Sequence, residues 1–311
     1  MDIPRKVQLT GRNTYIVSLP HEWVGRWKIA KGSPVYLNEN KDGTLTLSLK
    51  ESKKELWTCT IDVSSGAAEA AMRNIVSAYV AGAGTIVLKG RGVSTIAEEA
   101  RRVLSGVEIT DESGDTLTLR ILTFDDINMD GIIKRAFNVT QSMFNLAISA
   151  YRDGTDVSVE ISRKEDDVDR LYLLLLRNLC IEGYTSKDSI FKSIATKSIE
   201  KVSDHLEDIC TYGKQVAPNE LIAGLLERSK EVYSSAHEAL STNELDRGAF
   251  AQAKKAYLAD FEKVDGTLKK EKNTSRMLVL RSIAERCNKV LRYSEDILES
   301  ANDISFAKMQ D

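Results

Sequence analysis

Acidic side chains recur at helical spacing in the second half of the chain. Glu165 and Asp169 are four residues apart, so they share one helix face. Glu200, Asp204 and Asp208 repeat that spacing further along. Hard cations prefer carboxylate oxygens, and two neighbouring helices with such ladders would present several of them together. We therefore predict a metal site built from these five residues.

The second ladder lies opposite an apolar stripe on the same helix, formed by Val202, Leu206 and Ile209. The carboxylates are therefore predicted on the outer surface of the helices, where a solvated acidic face is the simpler alternative. No lysine follows any ladder residue at four positions, so the repulsion favours a counter-ion. His205 points about 100° around the helix from Asp204 and is a poor candidate for a ligand.

Basic side chains dominate the first fifty residues. Eight lysines and arginines face four acidic residues there, although the whole chain has a net charge of −3. A basic end on an acidic body is the pattern of a protein that meets a polyanion, and a solubilising surface is the alternative. The candidate phosphate contacts fall at predicted strand ends and turns, and they are Arg5, Lys6, Arg12, Arg26 and Lys28. Three aromatic residues nearby, Tyr15, Trp23 and Trp27, are predicted to be core rather than base-stacking platforms.

Other patterns exclude whole classes of function. The four cysteines have no CxxC spacing, which argues against a thiolate zinc site and favours a reducing compartment. The three histidines lie in no triad or HExxH context, so we predict no enzyme. Lys89 to Ser94 is glycine-rich but lacks a nucleotide fingerprint and favours a tight strand-to-helix turn over an anion site. Without a signal peptide or a long apolar run, we expect a cytoplasmic protein with no membrane insertion.

The elements that position these residues divide into three predicted domains. The pattern of residues 1–50 predicts two hairpins around a short helix. Such a small unit buries too little surface on folding to be stable as a single copy, so an obligate dimer is expected. Residues 51–125 follow a βαβαββ order typical of a small sheet with helices on one face. Residues 126–311 are all-α, and Pro218 divides them into tandem three-helix bundles at 126–217 and 218–311. The six predicted helices cover about 127–152, 155–182, 187–215, 219–240, 244–271 and 274–302.

Residues 1–50, called the head below, resemble a known DNA-binding family in their order of elements. A strand, a turn at Gly11, a strand ending at Pro20, a short helix and Lys31-Gly32-Ser33 are similar to the AbrB/MazE/SpoVT swapped-hairpin family. The resemblance implies an intertwined homodimer whose basic face meets double-stranded DNA. It places Arg5, Lys6 and Arg12 toward DNA, and Arg26 and Lys28 less directly.

The helical region resembles PhoU, the phosphate-uptake regulator. "IEKVSDHLEDI" at 199–209 is similar to the family's ERxxDHxxNI helix, and Glu165 with Asp169 matches its ExxxD. The resemblance implies a surface cluster that binds divalent or iron ions in the first bundle. In the second bundle, Lys289 and Phe261 stand where acidic residues belong, so no second site is expected there. Such a fusion resembles the archaeal type of phosphate regulator.

Three functions follow from these patterns. The first is a DNA-binding regulator of phosphate homeostasis that couples a metal-binding sensor to a dimeric head. The second is a signalling adaptor for a phosphate transporter or kinase, in which the head only dimerises. The third is an architectural DNA-binding protein that also uses residues 51–125, because "IVLKGRGVSTIAEEA" at 86–100 is similar to a nucleic-acid-contacting stretch of Alba.

Overall fold

The chain forms two compact units, Met1–Glu55 and Leu56–Asp311. A computed structural model describes residues 4–39, 43–49, 57–64, 68–122, 128–182, 187–216, 218–242 and 247–308.

The described residues of the first unit form two antiparallel hairpins and one short helix, as the turn residues predict. Gly11, at φ 65°, lies in the turn of the first hairpin, where a left-handed residue is needed. The second hairpin turns through Gly43 at φ 78°, while the predicted turn residues Lys41 and Asp42 lie outside the described residues. The elements are β1 (Gln8–Thr10), β2 (Thr14–Ile16), α1 (His21–Arg26), β3 (Tyr36–Glu39) and β4 (Leu45–Ser48).

The first unit has no buried core within one chain, because none of its described residues is buried. Tyr15 is 73% exposed and Trp27 is 59% exposed, so the prediction that these rings form a core is wrong for a single copy. Trp23 is half-buried. Other large apolar side chains are equally open to solvent, among them Val7, Leu9, Val17, Leu37 and Leu45. An apolar surface of this extent on a unit of this size needs a covering partner.

The second unit begins with the predicted α/β region, whose βαβαββ order is confirmed and whose sheet is mixed. Strand order is β5-β6-β8-β7; β5 and β6 are parallel, and the other two pairings are antiparallel. Alternate strand residues such as Ile86, Leu88 and Leu117 pack with Ile75 and Ile96 of the two helices in one core. The elements are β5 (Thr58–Asp62), α2 (Ala68–Val80), β6 (Thr85–Lys89), α3 (Val93–Val103), β7 (Val107–Ser113) and β8 (Thr116–Ile121).

In the part of the second unit that the structure describes, six long helices follow the sheet and share one hydrophobic core. Asn128 caps the first of them by accepting a hydrogen bond from the Asp130 amide, and Gly154 ends it at φ 73°. The helices are α4 (Met129–Asp153), α5 (Ser158–Glu182), α6 (Lys187–Gly213), α7 (Glu220–Thr242), α8 (Arg247–Leu268) and α9 (Thr274–Lys308). Among the described residues, no helix combines the length and the apolar character needed to span a membrane.

Helix α5 holds the sheet region against the helical bundle. The guanidinium of Arg177, a buried residue on α5, donates to the Tyr79 carbonyl at 2.5 Å and lies 4.8 Å from the centre of its ring. Earlier on α5, Asp166 forms an ion pair with Arg102 of α3. These contacts connect α5 to both helices of the α/β region.

Candidate functional site

Three of the five predicted metal-binding carboxylates converge between α5 and α6. Glu165 and Asp169 lie one turn apart on α5, and Asp204 faces them from α6. One oxygen from each of the three lies within 4.8 Å of the other two. All three residues are half-buried, so solvent reaches the cluster only partly. Three oxygens at this separation are a set that one hard cation can bridge.

The electrostatics of this cluster favour a bound cation. Burial, reinforced by the neighbouring carboxylates, raises the pKa of Glu165 to about 8 and the pKa of Asp169 to about 7. Asp169 Oδ1 is also buried, and within the described part of the chain it has no hydrogen-bond partner. A buried acceptor without a donor is costly, and a cation would satisfy it.

Glu200 and Asp208 lie outside the converging set because each is held in ion pairs. Glu200 is 6% exposed and contacts Lys197 at 2.7 Å and Lys201 at 3.3 Å. Asp208 contacts Arg286 of α9 at 2.9 Å. Two sequence-based predictions are therefore wrong: Glu200 does not lie on an outer surface, and the ladder is not unpaired. A lysine three residues from a carboxylate can pair with it as well as a lysine four residues away can. The arginine that pairs with Asp208 comes from α9, which is distant in the sequence.

Lys201 is the natural competitor for a metal ion at this site. Its ammonium group lies 2.6 Å from Asp204 Oδ2 and also contacts Glu200. A cation that takes Asp204 as a ligand must therefore share that carboxylate with Lys201 or displace the lysine.

Glu207 is an acidic residue of this region that the sequence reasoning missed. It lies three residues after Asp204 on α6, is half-buried, and contributes to the raised pKa of Glu165. The spacing of three from Asp204 is the signal that could have identified it. His205, the doubtful ligand, stacks on Tyr293 of α9 at a centroid distance of 5.6 Å and is not part of the cluster.

At the position of the second bundle that corresponds to Glu165, the chain carries a phenylalanine in place of an acidic residue. The sequence Asp-Asp-Val-Asp at 166–169 recurs weakly as Glu-Lys-Val-Asp at 262–265, and the aligned valines, Val168 of α5 and Val264 of α8, are both buried. Phe261 corresponds to Glu165 and stacks on Tyr257 with ring centroids 6.0 Å apart. An aromatic ring at this position provides packing rather than an oxygen ligand.

The predicted DNA-contacting residues are all exposed on the first unit. Arg5 and Lys6 precede β1, and Arg12 lies in the turn between β1 and β2. Arg26 ends α1, and Lys28 follows it. Within the part of the chain that the structure describes, none of the five forms an ion pair with an acidic side chain. Their charges are therefore available to an external polyanion.

Lys28 has an unusual backbone for a lysine. Its φ of 52° lies in the left-handed region, and the amides of Lys28 and Ile29 donate to the carbonyls of Gly25 and Val24. This is the Schellman arrangement that ends a helix, and glycine is the usual residue at the left-handed position. A lysine at this position carries a backbone strain that glycine would avoid.

Replacing Lys28 by glycine is expected to stabilise the first unit and weaken DNA binding. Relief of the left-handed strain should contribute about 1 kcal/mol, the lower end of its usual cost. Loss of one charge per copy should make the salt dependence of DNA affinity in a dimer shallower by about 2. Thermal unfolding and a salt series of binding measurements test the two effects, with Arg26→Ala as a control that removes charge without changing the backbone. Unchanged affinity would show that Lys28 does not contact DNA.

The glycine-rich stretch between β6 and α3 is packed closely. Gly90 has φ 126°, and a Cβ at this position would lie 2.2 Å from Ser64 Oγ. Gly92 precedes α3 at φ 82°. Close packing against Ser64 and a positive φ explain Gly90, whereas the positive φ alone explains Gly92.

Two family models match the chain. The model described as PhoU domain matches residues 133–213, which include most of α4 and all of α5 and α6. The model described as antidote-toxin recognition MazE, bacterial antitoxin, matches residues 8–56. No curated protein and no solved structure matches the chain significantly. The first family points to phosphate homeostasis and the second to DNA-binding regulation. The predicted fusion is confirmed: the chain joins a MazE/AbrB-type domain to a PhoU domain.

Proposed function

We propose that this protein is a dimeric DNA-binding regulator of phosphate uptake, in which the PhoU domain binds a metal ion and the MazE-type unit binds duplex DNA. The observation that carries the proposal is the set of five exposed cations that have no acidic partner among the described residues, on a unit that matches a DNA-binding family. Phosphate backbones attract such a surface without regard to base sequence, and base contacts then select the site.

Dimerisation follows from the exposed apolar side chains of the first unit. Leu37 is 63% exposed, Leu9 is 61% exposed and Leu45 is 58% exposed. A second copy of the same hairpins would bury these side chains and place two sets of cations on one surface. The same contact would then stabilise the unit and create the DNA-binding face.

Replacing Leu37 by aspartate is expected to give a monomer with weak DNA binding. A charge in the shared core opposes its burial, and the affinity should fall at least about 100-fold because half of the phosphate contacts depend on the second copy. Leu278→Asp is the matched control, since Leu278 is 56% exposed on α9. Light scattering gives the mass and fluorescence anisotropy gives the affinity. A dimeric Leu37→Asp protein would refute this interface.

The metal ion is proposed to bind Glu165, Asp169 and Asp204, with Glu207 beside them. Oxygen ligands suit a divalent ion such as Mg²⁺, Mn²⁺ or Fe²⁺. The ion would neutralise the carboxylates and hold α5 against α6, while the ion pair of Asp208 with Arg286 joins α6 to α9. Helix α5 also contacts the α/β region through Asp166 and Arg177. A shift of α5 on metal binding would therefore be transmitted to the α/β region.

A signalling adaptor that acts on a phosphate transporter or kinase is the second candidate. The separation of the chain into two units favours it, because the PhoU domain could dock on a protein while the first unit only dimerises. The two functions differ in one measurable property, the affinity of the full-length protein for duplex DNA at low salt.

A further inference from the structure

A cavity of about 430 Å³ lies at one end of the helical bundle, where α4 and α6 begin and α7 and α9 end. Ile133, Phe137 and Leu240 give it an apolar wall, and the first and last of these are buried. It shares no lining residue with the acidic cluster. Cavities of this size with an apolar wall and a few polar groups are typical of small-molecule sites.

The wall of this cavity includes one end of an aromatic stack. Tyr233 and Phe137 have ring centroids 5.0 Å apart, and Phe137 and His237 have centroids 3.4 Å apart at an interplanar angle of 12°. In the described structure, neither nitrogen of His237 has a hydrogen-bond partner. A flat ligand can extend such a stack and can also use the imidazole nitrogens.

The charged groups around the cavity are mainly positive. Lys134 is exposed and forms no ion pair with any described residue. Lys192 is held by Asp130 at 2.8 Å and by Asp188 at 3.2 Å, and Lys308 lines the rim from the end of α9. Burial and, to a lesser degree, Lys134 lower the pKa of His237 to about 4, so the ring is neutral at pH 7. An anion beside Lys134 would offset the positive charge of that lysine.

We propose that this cavity binds a mononucleotide, with the base against the Phe137–His237 stack and the phosphate beside Lys134. The volume accommodates a nucleoside monophosphate, the stack favours a planar ring, and Lys134 is the charge available for a phosphate. The inference is independent of the proposed DNA and metal sites, since it uses the residues of neither.

The test is titration of the full-length protein with AMP in the presence of a chelator, so that bound metal does not recruit the phosphate. The chain has three histidines, so the His237 signal can be resolved by NMR. AMP is expected to raise the pKa of His237 by about one unit, because an anion then lies near the ring. Adenosine and inorganic phosphate, each offering half of the contacts, are expected to bind at least about 10-fold more weakly.

Two charge-reversal variants decide where the nucleotide binds. Lys134→Glu should weaken AMP binding at least about 10-fold, whereas Lys255→Glu, the same change at an exposed position of α8, should leave it unchanged. Equal loss in both variants would indicate unspecific attraction and overturn the assignment. An unshifted His237 signal at millimolar AMP would overturn it too, and binding of inorganic phosphate as tight as that of AMP would refute the role of the aromatic stack.

Discussion

Replacing Arg5, Lys6 and Arg12 by alanine is expected to lower the affinity for duplex DNA by roughly 10³-fold at moderate salt. A dimer loses six cations by this change, so the slope of log affinity against log salt should become shallower by about 5. All three side chains are exposed, so the fold of the unit and the dimer should remain. Fluorescence anisotropy of a labelled duplex across a salt series measures both the affinity and the slope.

A matched variant separates a local contact from a general charge effect. Lys255, Lys270 and Lys272 are exposed lysines of the second unit, and their replacement by alanine removes the same charge. The regulator proposal expects this control to bind DNA almost as well as the unaltered protein. If the control loses as much affinity as the head variant, the second unit also contacts DNA, as an architectural protein would. If no version binds at low salt, the adaptor function stands instead.

Replacing Asp169 and Asp204 by asparagine is expected to abolish metal binding and to stabilise the metal-free protein. Two of three converging carboxylates are removed, and the loss of affinity should exceed the roughly 10- to 100-fold that outer-shell partners alone contribute. The same change relieves the repulsion among buried carboxylates, so the melting temperature without metal should rise. Metal analysis of purified protein and thermal unfolding with and without metal test both effects.

The stability of the metal-free protein is expected to decrease as the pH rises. Burial raises the pKa of Glu165 to about 8 and of Asp169 to about 7, above the values of the unfolded chain. The folded state therefore holds these protons more tightly, and this contribution to stability is complete at low pH and is lost between about pH 4 and pH 8. Metal binding should strengthen across the same range, because the ion displaces those protons.

Asp208→Asn is the control for the metal-site variant. It makes the same chemical change on the same helix, but Asp208 contacts Arg286 and lies outside the converging set. We expect it to keep the metal and to lower the melting temperature slightly, opposite in sign to the double variant. Retention of metal by the double variant would contradict the proposed ligands.

Much of the fold follows from local patterns in the sequence. Helix α5, predicted at about 155–182, covers Ser158–Glu182, and α6, predicted at 187–215, covers Lys187–Gly213. Apolar spacing sets which face of a helix is buried, and glycine, asparagine and proline set where it ends, so both are readable over a few turns. The predicted α9 ends six residues too early, because Ile304 is still buried beyond the predicted end.

The composition of the acidic cluster depends on contacts that are distant in sequence. Spacing alone nominates Glu165, Asp169 and the three ladder residues of α6 with equal weight. Packing of α5 against α6 joins three of them, while Arg286, which is 78 residues from Asp208, takes that carboxylate out of the set. Glu200 pairs with Lys197 and Lys201, which are close to it in the sequence. The burial of Glu200 is not a local property, because a helix face is buried only by neighbouring elements.

By itself, the sequence determined the modules, the positions of the helices and strands, and the two clusters of charge, because periodicity and composition are local properties. Only the tertiary structure decided which carboxylates converge, that the apolar side chains of the first unit are uncovered in a single chain, and that four helix ends enclose a cavity beside His237. These features depend on contacts between side chains of separate elements. The residue spacing within one helix or hairpin does not predict how that element packs against another.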